Sequence, residues 1–220
     1  PTIPGKIETV AKLGLSPIIA GALQAVGPIY RELKILRGYC RMSVVLVPLA
    51  PGCEELEAVT VIDIMRRGGL QVISAGLNQT VVSASRGVVL QADQLLEEAI
   101  LNEEVSVVVL PGGMGGTRAL MNAPFFTGWL KKRALEGMPV AAICAAPLIL
   151  DQERLLSGKL YTAYPGVLDV ALSENACYTG TVLEADGNII TSRGPGTAME
   201  FALYLVELLA GKARRAEVEA

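Results

Sequence analysis

Three short apolar runs constrain what this chain can fold into. They are "MSVVLVPLA" from Met42, "VSVVVLPGG" from Val105 and "MPVAAIC" from Met138. None alternates polar with apolar, and each ends in, or runs straight into, proline, glycine or cysteine. A strand buried on one face alternates, whereas a continuous apolar strand is buried on both. Helical patterns separate the runs. "EELEAVTVIDIMRRGG" opens on acids, closes on arginines and stops at Gly68, with Leu56, Val59, Ile62, Ile64 and Met65 as its apolar positions. "FFTGWLKKRALEG" reads as a helix, with Trp129 and the Phe125–Phe126 pair as core. "LQVISAG" reads as a strand and "TVVSASRGVVLQAD" as two short strands around Arg86–Gly87. "NIITSRGPGTAMEFALYLVELLAGKARR" reads as strand, glycine turn and one long helix. The order predicts an α/β fold, a parallel sheet covered by helices on both faces. Ligands in such sheets bind beyond the carboxyl ends of the strands. There stand "APGCEE", "PGGMGG" and "CAAP".

Composition narrows the chemistry. The 220 residues include no histidine, which removes Cys–His and Ser–His catalysis and the usual zinc sites. The four cysteines, Cys40, Cys53, Cys144 and Cys177, form no CxxC pair, a pattern of reduced intracellular thiols rather than a disulfide framework. A net charge of −3 argues against nucleic acid as partner. Charge is uneven. Residues 1–41 carry six basic and two acidic groups, net +4, and residues 42–220 carry thirteen and twenty, net −7. That shift predicts a basic, apolar leader over 1–41 and a domain over 42–220. The leader's 17-residue apolar stretch is broken by Pro17, Gly21 and Pro28, which fits no stable membrane span. It reads as a targeting segment, an extra helix or upstream sequence. Location is accordingly cytoplasmic, or mitochondrial where the leader targets the chain.

The carboxyl-end loops carry the candidate site. Cys144 has Ala142 and Ala146 two positions to either side, the small neighbours that a strained strand-to-helix elbow requires. A helix N-terminus there is expected to lower the thiol's pKa. The alternative for Cys144 is a small buried hydrophobe. Gly113 in "PGGMGG" offers a backbone N–H to an oxyanion, or belongs to a plain turn. Glu54, Glu55 and Glu57 crowd one helix start, and Glu57 is placed to face inward, where burial beside a thiol would raise its pKa. Cys53 is either a second oxidisable thiol or filler, and Cys177 falls in an edge strand.

Together "APGCEELEAVTVIDIMRRGG", "VVVLPGGMGG", "VAAICAAP" and "ITSRGPGTAMEFAL" resemble the ThiJ/PfpI superfamily, closest to its small DJ-one branch of Parkinson-linked protein and nucleic acid deglycases, over about Met42 to Arg215. The resemblance implies a flavodoxin-like three-layer α/β/α sandwich, related to class I glutamine amidotransferases. It implies Cys144 as reactive cysteine, Glu57 as its carboxyl partner, and Gly113 and Ala145 as backbone donors. It places Arg67 and Arg86 near that cysteine at a homodimer interface, and Arg193, Gly194 and Pro195 beside the same pocket. It implies activity without metal or other cofactor, as a glyoxalase or deglycase on methylglyoxal or its adducts. The other activity it implies is redox sensing and chaperoning through cysteine oxidation. One departure stands out: Tyr164 occupies the position before Pro165 where many members have histidine. Tyrosine, with a pKa of about 10, is a poor base at neutral pH, so peptidase chemistry has no base here.

Overall fold

The computed structural model describes residues 44–168 and 171–220. The predicted leader lies outside the described residues. Seven strands form the main sheet: β1 (Val44–Leu49), β2 (Gln71–Gly76), β5 (Gln94–Leu95), β6 (Val105–Leu110), β7 (Val140–Ile143), β10 (Leu183–Asp186) and β11 (Ile189–Ser192). Their order is β10-β11-β7-β6-β1-β2-β5. Every pair is parallel except β10 with β11. Two small pairs stand apart, the antiparallel hairpin of β3 (Val81–Ser83) with β4 (Val89–Gln91), and β8 (Leu160–Tyr161) with β9 (Cys177–Tyr178).

The continuous apolar runs occupy the middle of the sheet, as two-sided burial demands. All six residues of β1 and all four of β7 are buried, and in β6 only Ser106 reaches partial exposure. Helices α1 (Glu55–Arg67), α6 (Ala198–Ala210) and α7 (Lys212–Glu219) pack together as one group. Helices α2 (Leu96–Asn102), α3 (Met114–Met121), α4 (Pro124–Leu135) and α5 (Pro147–Gln152) form the other. Leu46, Leu110, Leu130, Val140 and Leu150 share one core cluster with Phe126. This is the three-layer α/β/α arrangement that the strand pattern predicted. Among the described residues no helix is long and apolar enough to cross a membrane.

Three expectations need correction. The inward face of α1 is Glu57, Ala58, Val61, Ile64 and Met65, whereas Leu56 and Val59 are about half exposed. Apolar spacing alone could not see that a carboxyl takes a core position there. The single C-terminal helix breaks at Gly211, whose φ of +90° ends α6 and turns the chain into α7. Phe126 is fully buried, but its neighbour Phe125 points outward at 39% exposure, because adjacent helical residues lie on different faces.

Two glycines give this packing opposite tests. A Cβ on Gly76 would meet the Gln79 carbonyl oxygen at 2.0 Å, while one on Gly128, exposed on α4, meets no described atom within 4 Å. Gly76→Ala is expected to cost about 1–3 kcal/mol through overpacking. Gly128→Ala is expected to gain about 0.5–1 kcal/mol through helix propensity. Urea unfolding of both variants checks the pair of signs.

Candidate active site

The carboxyl ends of β1, β6 and β7 meet at one place. The turn after β1 carries Gly52, Cys53 and Glu54, the turn after β6 carries Gly112 and Gly113, and Cys144 follows β7 directly. Backbone bonds knit these loops. Glu54 N–H donates to the Gly112 carbonyl at 2.9 Å, and Cys144 N–H donates to the Ser192 carbonyl at 3.0 Å. The Cys144 carbonyl accepts the Tyr164 N–H at 2.9 Å.

Cys144 sits at φ +64°, the left-handed region that a non-glycine residue rarely enters. Its neighbours Ala142, Ala145 and Ala146 are all buried. This is the strained elbow expected from the small residues around it, and the thiol lines an open cavity rather than filling core. That cavity measures about 640 Å³, with Gly52, Glu54, Arg86, Gly113, Tyr164 and Pro195 among its walls. Gly113, at φ +84°, starts α3. The N–H groups of Gly113 and Ala145 both act on the Cys144 sulfur.

Glu57 has no exposed surface. Its position follows from local chemistry. Glu54 caps α1 by accepting the Glu57 N–H on Oε2 at 2.8 Å, which turns the Glu57 side chain inward beneath the loops. There Oε2 accepts the Gly112 N–H at 2.7 Å, and Oε1 has no hydrogen-bond partner. Burial raises the carboxyl to about 7, against the lowering effect of the Gly112 N–H and the Cys144 thiol. The raised carboxyl expected from sequence is therefore present.

The thiol differs from expectation. Burial first, then the charge and hydrogen bond of an ionised Glu57, push Cys144 up to about 12, while the Gly113 and Ala145 N–H groups pull it down. The expected lowering by a helix dipole is thus corrected: α5 has only six residues, and two amide donors supply what lowering there is. Two of the three upward pushes depend on the Glu57 charge, so the residues titrate as a pair. The first proton leaves near neutral pH and the second only far above it.

The other expected site residues divide. Tyr164 and Pro195 line both the Cys144 cavity and a neighbouring hollow of about 490 Å³, whose walls also include Pro165, Arg193 and Gly194. Arg86 lines the Cys144 cavity. Arg67 does not: its Nε donates to Asp63 at 2.9 Å, and it lines a separate groove with Met199 and Glu219. Cys53 is buried, and burial pushes its thiol up to about 11, which suits filler rather than an oxidisable group. Cys177 is exposed on β9, in the small pair rather than at an edge of the main sheet. Sequence reasoning missed Gly112. Its Cβ would fall 2.6 Å from Cys144 Cβ and 2.7 Å from Glu57 Oε2, so only hydrogen fits there. The doubled glycine of "PGG" was the available signal, but it drew attention to Gly113 alone.

The Glu57 carboxyl has a consequence for stability. A folded-state pKa raised from about 4.5 to about 7 favours folding below pH 4.5, and that advantage is lost as pH rises through 7. Glu57→Gln removes the buried charge. It is expected to be more stable than the parent above pH 7, by about 2–4 kcal/mol at most, with the difference shrinking towards pH 4.5. Thermal melts from pH 4.5 to 8.5 read this directly.

Comparison with known proteins places this geometry. The family model described as "DJ-1/PfpI family" matches residues 43–208. The chain is 42% identical to Protein dj-1beta of Drosophila melanogaster over 174 residues, 79% of this chain and 92% of that protein. It is 32% identical to the glutathione-independent glyoxalase DJR-1.2 of Caenorhabditis elegans, over 78% of this chain and 90% of that protein. The crystal structure of Drosophila DJ-1beta superposes with a TM-score of 0.75 at 43% identity, covering 80% of this chain and 95% of that one. A buried carboxyl under a strained cysteine at the strand ends, on a matching sheet and a matching sequence, thus identifies the chain as a member of the DJ-1/PfpI family.

Proposed function

We propose that the Cys144 cavity carries out glyoxalase chemistry on a small carbonyl compound such as methylglyoxal, without a cofactor. One observation carries the reading: a fully buried carboxyl with a free Oε1 beside a cysteine held at positive φ in an open cavity. A relative at 32% identity named as a glutathione-independent glyoxalase supports it.

The chemistry uses one proton store. At neutral pH the Glu57–Cys144 pair has its first proton in balance. In the minor tautomer of the singly deprotonated pair, with the proton on Glu57, the sulfur is a thiolate facing the cavity, with the Gly113 and Ala145 N–H groups beside it. The thiolate adds to the aldehyde carbon of methylglyoxal, and the new oxyanion is protonated to a hemithioacetal. Glu57, now a carboxylate, takes the proton from that carbon and returns one to the adjacent ketone carbon. The product is a lactoyl thioester on Cys144. Water hydrolyses it, releasing lactate and the free thiol. Net, methylglyoxal and one water give lactic acid, with no oxidant or reductant consumed. A hemithioacetal or aminocarbinol adduct would enter the same path by first releasing its thiol or amine, which regenerates the free aldehyde for Cys144 to attack. Tyr164, half exposed at the rim, is not needed as a base in this scheme.

A second reading draws on the free Oε1 alone. A protonated Glu57 can donate a hydrogen bond to an oxygen on an oxidised Cys144, which would stabilise a sulfinate and make the protein a redox sensor or chaperone. A homodimer goes with either reading. Leu56 and Val59 on α1, and Val81, Val88 and Val89 on the hairpin, are exposed apolar groups that a second copy would cover.

The deciding experiment measures lactate formed from methylglyoxal in buffers free of amines and thiols. Cys144→Ser and Glu57→Gln are each expected to lower kcat/KM at least about 100-fold, within the range that nucleophile and general-base removals give. If lactate stays at background for the parent while intact mass after mild peroxide shows Cys144 gaining two oxygens, the redox reading replaces the enzymatic one.

A further inference from the structure

A separate hollow lies beside the small strand pair β8–β9. It measures about 330 Å³, and Tyr161, Tyr164, Tyr178, Leu168, Ala171 and Ala176 are among its walls. None of its lining residues belongs to α1 or to the β3–β4 hairpin, the surfaces that a second copy of the chain would cover. Three tyrosines of one protomer thus meet at one place. Tyr161 and Tyr178 stand on paired strands with ring centroids 5.8 Å apart and planes inclined at 59°. Rings set at that angle form a corner and do not stack flat against each other.

The Tyr161 hydroxyl marks the hollow as a site. The residue is only 2% exposed, and its hydroxyl makes no hydrogen bond among the described residues. The side-chain atoms sealed off there without a partner are Glu57 Oε1 and Thr117 Oγ1. The Tyr161 hydroxyl is not one of them, so it opens on the hollow that the residue lines. Burial first, and then the Asp151 charge, push this phenol up, so it stays a neutral hydroxyl with lone pairs to offer. A buried polar group without a partner is costly, and a ligand that supplies one removes that cost.

The charge around the hollow has one sign. No lysine or arginine is among its lining residues. Arg193 lines the neighbouring hollow instead, where its Nη1 donates to the Gly180 carbonyl at 3.3 Å. Asp151, at 2% exposure near the end of α5, is close enough to act on the Tyr161 hydroxyl. Its Oδ2 accepts the Leu172 N–H and its Oδ1 the Ser173 N–H, each at 2.8 Å, which fixes the wall next to Ala171. Both partners are neutral amides, and no ion pair among the described residues cancels the carboxylate.

The geometry points to a binding site for a small organic ammonium ion, held among Tyr161, Tyr164 and Tyr178 with one N–H donated to the Tyr161 hydroxyl. Aromatic faces attract a cation through the ring quadrupole, most strongly where water is excluded. The buried Asp151 charge adds to that attraction. The volume suits an amine of a few carbons. Tyr164 is also a wall of the Cys144 cavity, so the bound amine stands one side chain away from that cavity.

The probe is n-butylammonium, with butan-1-ol as its uncharged match in size. Proton NMR titrations at neutral pH follow the upfield shift that aromatic faces impose on the ligand's methylene protons. The ammonium is expected to bind about fivefold more tightly than the alcohol. Tyr178→Leu replaces a half-exposed residue and removes one aromatic face, and is expected to weaken the ammonium about fivefold. Tyr161→Phe keeps the face and removes the hydroxyl. It is expected to weaken n-butylammonium about threefold and to leave tetramethylammonium, which has no N–H to donate, unchanged. Equal binding of ammonium and alcohol overturns the proposal, because the hollow is then merely apolar. Parental affinity in both variants overturns it as well, because the cation then lies elsewhere on an acidic domain, and so does the absence of any shift with n-butylammonium. Binding needs no turnover. A failure here leaves lactate formation untouched, and a failure of lactate formation leaves this site standing.

Discussion

The hydrogen bond between the Gly112 N–H and Glu57 Oε2 is the contact on which the site is built. It joins the loop after β6 to the first turn of α1, beneath the turn that carries Cys144. A carboxyl with no exposed surface is costly to bury, and here one amide and one neighbouring thiol are what compensate it. The compensation is partial, since Oε1 is left without a partner. That shortfall keeps the proton affinity of Glu57 near neutral, where proton transfer is fastest in both directions. A fully satisfied carboxylate would have made a firmer core and a poorer acid–base group.

Much of this was legible in the sequence because the sheet obeys a simple rule. Strands covered on both faces must be apolar throughout, so β1, β6 and β7 could be read from "VVLVPL", "VSVVVL" and "VAAI". Their ends then locate the loops that hold polar groups. Ala142 and Ala146 marked Cys144 as an elbow because bulk is not tolerated beside a strained residue. Glu57 was readable as inward by its offset from the turn.

The rest depended on partners distant in sequence. Nothing near Gly112 reveals that Cys144 Cβ and Glu57 Oε2 both crowd its α-carbon, because those neighbours arrive from other strands. Glu55 looked like an ordinary dipole-pairing acid, since its partners Ser85 and Arg86 lie 30 and 31 residues away. Arg67 is the converse case: within the chain its pairing with Asp63 is local, one helical turn apart, while the role the resemblance implies for it lies between two copies of the chain. The sign of the thiol shift was missed because a sequence shows the helix start but not the depth of burial.

The backbone of Cys144 is tied on both sides, its N–H to Ser192 and its carbonyl to Tyr164. The residue is a fixed post, and anything that grows on its sulfur must grow outward. Adduct size is therefore metered by the 640 Å³ beyond it and not by any yielding of the main chain. A triose-sized fragment would fit within that space. A peptide-sized thiol joined through a disulfide would stand out into solvent, open to the next thiol that comes to remove it. Rigidity at one residue thus sorts modifications by reach, into those that fit within the cavity and those that extend past its mouth.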